Sequence, residues 1–258
     1  MKVLIFPTRE AAEKKVSEEI INTIRSRPDC NLGLATGGTM EPVYVKLREH
    51  CEAVDCSKLK TFNLDEYVGL SQTHPQSYYE YMAKHIFRYL NIDNANVHIP
   101  LGDAPNPEAE AKRYEALIAE NGGIDLQLLG IGSNGHIGFN EPCSSLGSET
   151  RIKTLTKATR DANARFFGPD EDVPRYAITM GIKTILNANE ILVLATGSGK
   201  AQACQQMIEG PISARWPASS LQLHPRVTVV LDEDAASQLE LREYFEAVHP
   251  AGQEAKVA

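Results

Sequence analysis

Short apolar runs alternate with longer helical stripes along almost the whole chain, and this rhythm constrains the fold more than any single motif. Val3 to Phe6, Leu32 to Ala35, Leu59 to Leu64, Val97 to Ile99, Leu126 to Ile131, Ala177 to Met180, Ile191 to Ala195 and Val227 to Leu231 read as strands. Leu59 to Leu64 is expected to run on into Asp65-Glu66-Tyr67. Between the first two strands, Ala12, Val16, Ile20 and Ile24 recur at four-residue spacing, the stripe of one helix face, and Pro28 stops it. Helices are also predicted from Glu41 to Cys51, from Ser77 to Leu90, and from Pro107 to Asn121, the last closed by Gly122-Gly123. Leu126 to Ile131 is apolar without a break, as expected for a strand buried on both faces. The alternation predicts a single α/β domain over residues 1–258. It should be a three-layer sandwich, with a mostly parallel central sheet covered by helices on both faces. Residues 251–258 are small and polar, a tail expected to fray.

Composition narrows the function classes. A chain of 258 residues can bury a large core without staples. A formal net charge of -8 argues against broad electrostatic binding to nucleic acid or to an anionic membrane. The five cysteines, Cys30, Cys51, Cys56, Cys143 and Cys204, are odd in number and show no zinc spacing, which fits reduced thiols in a cytoplasmic protein. The apolar run at the N-terminus is halted by Pro7, too short for a signal peptide, and no stretch reaches the ~20 apolar residues needed to span a bilayer.

Three polar segments follow predicted strands, at the sheet edge where open α/β folds bind ligands. Thr36-Gly37-Gly38-Thr39 lies between a strand and a helix, where glycines let the backbone approach an anion and the helix start offers free N–H groups. A tight turn is the plain alternative, and the segment is neither a P-loop nor a dinucleotide fingerprint. Asp65 and Glu66 are adjacent carboxylates at a strand end. One could act as a general base while the other caps a helix or pairs with a cation, and a surface turn would also accommodate both. Gly130, Gly132, Gly135 and Gly138 surround His136, with Glu141 five positions later. A histidine on such a loop has few packing neighbours, and its near-neutral pKa suits proton transfer with a carboxylate to orient it. A metal site is the rival, but the spacing is not a usual zinc signature, so no metal is expected. Arg165 and Lys200 are candidate phosphate contacts, and Arg151 and Lys153 place two cations on one face of an extended segment. The remaining histidines have no such setting.

These residues resemble the glucosamine-6-phosphate deaminase family. The likeness is carried by Thr36-Gly37-Gly38-Thr39, by Thr61 to Leu70, by His74-Pro75-Gln76-Ser77-Tyr78-Tyr79, by Gly135 to Pro142, by Thr150 to Thr156 and by Ser220 to Pro225, in family order. The resemblance implies a Rossmann-like fold, a phosphosugar substrate and no cofactor. It implies Asp65 as the base at C2, and His136 with Glu141 and Asn134 in ring opening. The phosphate would be held by Thr36, Gly37, Gly38, Thr39, Arg165 and Lys200. It further implies a homohexamer with an allosteric site for N-acetylglucosamine 6-phosphate at Ser144, Ser145, Arg151, Lys153, Thr154 and Tyr244. Some members are monomers. Allosteric members have Asp where this chain has Asn134, and an amide can orient the histidine but cannot share its charge. Ring opening is therefore expected to lean on Glu141.

Three rivals carry weight. A galactosamine-6-phosphate deaminase differs only at a sugar hydroxyl, and the segment Phe62 to Tyr67 resembles the glucosamine enzymes better. A 6-phosphogluconolactonase would share the fold but not Asp65 or the continuation Phe139 to Pro142. A non-catalytic phosphosugar sensor would call for a basic DNA-binding module, which an acidic chain opening on its first strand is not expected to carry.

Overall fold

A computed structural model describes residues 1–50, 54–164, 167–168 and 171–252, with the side chains of 158, 162 and 251 left aside. In chain order the first half contains β1 (Lys2–Phe6), α1 (Arg9–Ser26), β2 (Asn31–Leu34), α2 (Glu41–Arg48), β3 (Lys60–Asn63) and β4 (Asp65–Tyr67). It continues with α3 (Tyr78–His85), β5 (Val97–His98), α4 (Pro107–Glu120) and β6 (Leu126–Gly130). The second half contains β7 (Arg151–Thr154), α5 (Lys157–Asn163), β8 (Tyr176–Thr179), α6 (Ile182–Leu186) and β9 (Glu190–Ala195). It ends with α7 (Ala201–Ile208), β10 (Val227–Asp232) and α8 (Arg242–Val248).

Local chemistry explains where the helices begin and end. Thr8, Ser77, Asn106 and Thr156 each accept a backbone N–H of the first turn of α1, α3, α4 and α5. Pro107 opens α4, where a missing N–H costs nothing, and Gly122 and Gly123 follow its end at positive φ. The apolar stripe of α1 is buried as its spacing requires. Two helices stop earlier than predicted. The last turn of the Ser77 to Leu90 segment is a separate 3-10 turn at Phe87–Tyr89, which leaves Tyr89 exposed, and the predicted end of α2 at Cys51 lies outside the described residues.

Seven strands form one parallel sheet in the order β1-β10-β9-β6-β2-β3-β5. The chain moves outward through β2, β3 and β5, then returns inward through β6, β9 and β10. Right-handed crossovers therefore put α1, α2 and α3 on one face and α4 and α7 on the other. Contacts of α1 with α2, and of α2 with α3, agree with that division. The reversal falls between β2 and β6, so the segments leaving these two strands diverge and open a crevice at their carboxyl ends.

Periodicity did not reveal a second sheet, β4-β8-β7, which is antiparallel. The strand predicted to run from Leu59 through Tyr67 divides at Leu64. The N–H of Leu64 still bonds to Leu34 of the main sheet (3.0 Å), while its carbonyl accepts the N–H of Met180 (2.7 Å) at the edge of the small one. Asp65 is thus the first residue of the small sheet and stands at the mouth of the crevice. No described helix is long and apolar enough to cross a membrane.

Candidate active site

Segments from five strand ends line one open cleft of about 650 Å³, within the range of small-molecule sites. Asp65, His136, Thr36 to Thr39 and Lys200 all face it, although they lie far apart in sequence. Tyr78, Thr159 and Asn163 close its side.

Asp65 and Glu66 stand on the small sheet. Successive strand residues point to opposite faces, and this separates the two adjacent carboxylates. Asp65 lines the cleft, 6% exposed; burial, reinforced by the charge of Glu66, pushes its carboxyl up to about 8. Glu66 turns the other way. Its Oε1 accepts the N–H groups of Tyr67 (2.8 Å) and Tyr78 (3.0 Å), and its Oε2 accepts that of Tyr79 (3.1 Å). Burial pushes Glu66 up to about 7 against those three donors. Glu66 is the helix cap of the pair, binding β4 to the first turn of α3.

The glycine loop after β6 carries the histidine. The Gly132 N–H donates to the carbonyl of His136 (2.9 Å), and a Cβ on Gly132 would lie 2.4 Å from the imidazole, so only glycine leaves room for the ring. The loop is stitched to the small sheet. Phe139 N–H donates to Thr179 Oγ1 (3.1 Å), and Asn140 Nδ2 donates to the carbonyls of Ile137 (2.9 Å) and Met180 (2.8 Å). Glu141 Oε2 lies 3.6 Å from His136 Nδ1, an ion-pair distance rather than a formed hydrogen bond. Asn134 Nδ2 donates to the same oxygen (2.7 Å) and Thr159 Oγ1 donates to Oε1. Burial acts to raise the Glu141 pKa, but His136, Thr159 and Asn134 together outweigh it and hold it at about 2. Glu141 is a fixed anion behind the imidazole. Asn134 touches only the backbone N–H of His136 (3.2 Å), so it orients Glu141 and not, as expected from sequence, the ring.

The cleft lining also includes a glycine loop and a cation, Lys200. Gly37 sits at φ +110°, and its carbonyl is fixed by Tyr81 Oη (2.9 Å) and the N–H of Met40 (2.9 Å). Gly38 has open space where a Cβ would stand. Lys200 ends a short turn whose first glycine, Gly197, donates its N–H to both carboxylate oxygens of Asp232 (2.9 Å each). Burial lowers the Lys200 pKa. Arg165 lies outside the described residues. Among the described residues no three His, Cys, Asp or Glu side chains are grouped to hold a metal ion.

The sequence profile of the family described as glucosamine-6-phosphate isomerases/6-phosphogluconolactonase matches residues 8–230. The chain belongs to this family. Within the glucosamine-6-phosphate isomerase/6-phosphogluconolactonase family, it is 52% identical over 244 residues to the glucosamine-6-phosphate deaminase of Rhodopirellula baltica, covering 94% of this chain and 97% of that one. It is 50% identical over 247 residues to that of Hahella chejuensis, covering 95% and 94%. A solved monomeric glucosamine-6-phosphate deaminase superposes with a TM-score of 0.89 at 46% identity, over 92% of this chain and all of the other. The 6-phosphogluconolactonase of Trypanosoma brucei shares the fold, with a TM-score of 0.74 at 20% identity over 92% of this chain and 98% of that one.

A second cluster of expected family residues lies on and before β7. Arg151 and Lys153 share a strand face, and burial lowers the pKa of both, with Arg151 adding to the effect on Lys153. Arg151 Nη2 and the buried Ser144 Oγ have no hydrogen-bond partner among the described residues, and Ser145 and Thr154 flank them in sequence. Tyr244 does not join this cluster within the chain. It is 61% exposed on α8, which packs against β1, whereas β7 packs against α4. Sequence reasoning missed Thr159 and Arg9 at the cleft, and Asp232 beneath the turn that carries Lys200. The only local sign of Thr159 is its place three residues after Thr156, the cap of α5.

Proposed function

We propose that the chain converts glucosamine 6-phosphate and water to fructose 6-phosphate and ammonium. The single observation that carries this reading is that one cleft is lined by Asp65, by His136 with the Glu141 carboxylate behind it, by a glycine loop and by Lys200. A sugar phosphate needs both sets of groups, proton-transfer groups for its reacting carbons C1 and C2 and N–H donors and a cation for its anion.

The chemistry follows from these positions. His136 takes the proton of the anomeric hydroxyl and returns it to the ring oxygen, opening the pyranose, while the anion of Glu141 stabilises the imidazolium in between. The open aldehyde acidifies the hydrogen on C2. Asp65 removes it, the electron pair forms the C1–C2 double bond of an enolamine, and the C1=O π pair moves onto O1, which takes a proton from solvent. Protonation at C1 leaves an iminium at C2, and water adds there and expels ammonia. Electrons balance without a redox step. The N–H groups of Gly37, Gly38 and Thr39, the hydroxyls of Thr36 and Thr39, and Lys200 hold the phosphate, with Arg165 as a further contact. Ammonia release is assayed on glucosamine 6-phosphate and galactosamine 6-phosphate beside hydrolysis of 6-phosphogluconolactone. Turnover confined to the first supports the reading, and preference for either of the others overturns it.

The Arg151–Lys153 cluster is read as a regulatory site for N-acetylglucosamine 6-phosphate. The observation favouring it is the pair of half-buried cations on one strand face, one of them with a terminal nitrogen that no described group accepts, an arrangement that an anion would complete.

A further inference from the structure

We propose that Arg9 is a cationic contact for the substrate phosphate, a specificity residue beside Lys200. This inference rests on the reading that a sugar phosphate occupies the cleft. Arg9 is the first residue of α1, directly after β1, and it lines the same cleft as Thr36 to Thr39 and Lys200. Strands β1, β10 and β9 are consecutive and parallel, so the turn carrying Arg9 and the turn carrying Lys200 leave the sheet at one edge.

One hydrogen bond aims the side chain. Arg9 Nε donates to Thr196 Oγ1 (3.0 Å), and Thr196 is buried at the start of the turn that ends in Lys200. Glu13 Oε1 is 3.8 Å from the same nitrogen, too far for a hydrogen bond. The two terminal nitrogens donate to no described residue, so the outer side of the guanidinium is free. A planar fork fixed at its inner nitrogen suits the oxygens of a phosphate, and it loses less freedom on binding than an unanchored side chain.

Charge at this end also calls for it. Glu13 and Asp232 are both 5% exposed, and the charges of Arg9 and Asp232 both act on Glu13, so two buried carboxylates stand behind the anion site. Burial weakens the hold of Lys200 on its proton, whereas an arginine stays charged at any working pH. The competing role is purely structural, with Arg9 clipping α1 to the turn after β9.

The test measures ammonia release together with inorganic phosphate binding, the latter by calorimetry. In Arg9→Ala, KM for glucosamine 6-phosphate and the Kd for phosphate should both rise on the order of tenfold, as expected for one lost charged hydrogen bond. The effect should fall on KM and not kcat, and Arg9→Lys should recover part of it. Thr196→Val removes the clip and keeps the cation, so it should cost much less. Unchanged KM and Kd in Arg9→Ala would overturn the proposal, as would a Thr196→Val variant that reproduces the full loss. A wild-type protein that releases no ammonia would sink the proposed activity, and the phosphate titration would still decide the role of Arg9.

Discussion

The proposed reaction removes a proton from carbon near neutral pH and asks for a base stronger than a free carboxylate; for Asp65 in that proposed role, burial would supply the strength. The folded carboxyl titrates at about 8, against an unfolded value of ~3.9. Between these values the folded state holds the extra proton, so stability falls as pH rises through this window. Above it the buried charge costs on the order of several kcal/mol. Asp65→Asn should therefore lower kcat by roughly 10²–10⁴-fold. The same variant should melt several degrees above the wild type at about pH 8.5 and no higher at about pH 4. Thermal scans at the two pH values check this, and an equal gap at both would remove burial as the cause. For the wild type, kcat/KM should climb with pH until Asp65 is ionised. Glu141 shows the opposite shift: with a folded pKa of about 2, it is charged throughout the working range. Glu141→Gln keeps an oxygen but removes the charge behind His136, so kcat should drop roughly tenfold or more and the pH–rate profile should move. Turnover and pH dependence both unchanged would rule out the ring-opening role.

At the scale of elements, the sequence rhythm located strands but could not say which sheet takes them. Leu59 to Tyr67 is one apolar-rich run, and its division at Leu64 depends on partners more than 100 residues away, Thr179 and Met180. No local pattern encodes that pairing. The same holds for Ala177 to Met180, read as another parallel strand and found antiparallel between β4 and β7. The division matters for function, because a strand running straight on in the main sheet would not bring Asp65 to the stitched end of the His136 loop. Spacing alone left the choice between Asp65 and Glu66 open, and the family resemblance pointed to Asp65; only the fold shows which one faces α3. Glu66 replaces three N–H bonds to water with three bonds to its own carboxylate. Glu66→Ala should lose about 2–4 kcal/mol in urea unfolding, because buried donors are left without acceptors. Glu66→Gln should lose less, since an amide oxygen can still accept from Tyr67 and Tyr78. A loss below about 0.5 kcal/mol in the alanine variant would show that water replaces the cap.

At the scale of the molecule, the parallel sheet, its helix-covered faces and the glycine loops were all readable, because strand–helix alternation is a local signal with few global solutions. The site was readable as segments only; the reversal of strand order between β2 and β6 makes a single cleft of them. The same topology bears on assembly. A neighbour that completes the Arg151–Lys153 cluster with Tyr244 cannot be the same chain, because α8 stands on the β1 edge while β7 packs on α4. Tyr244, exposed and beside Phe245, is free to be that neighbour for a second copy. If the site works, regulation and oligomerisation are one property: the activator can bind fully only where two subunits meet. Sedimentation should then give a homohexamer, and N-acetylglucosamine 6-phosphate should raise the rate at low glucosamine 6-phosphate. Arg151→Ala and Tyr244→Ala should each reduce that activation, although neither residue lines the catalytic cleft. A monomer with a hyperbolic curve indifferent to the ligand, like the monomeric relative in its assembly, would mean that the two cations serve something other than regulation.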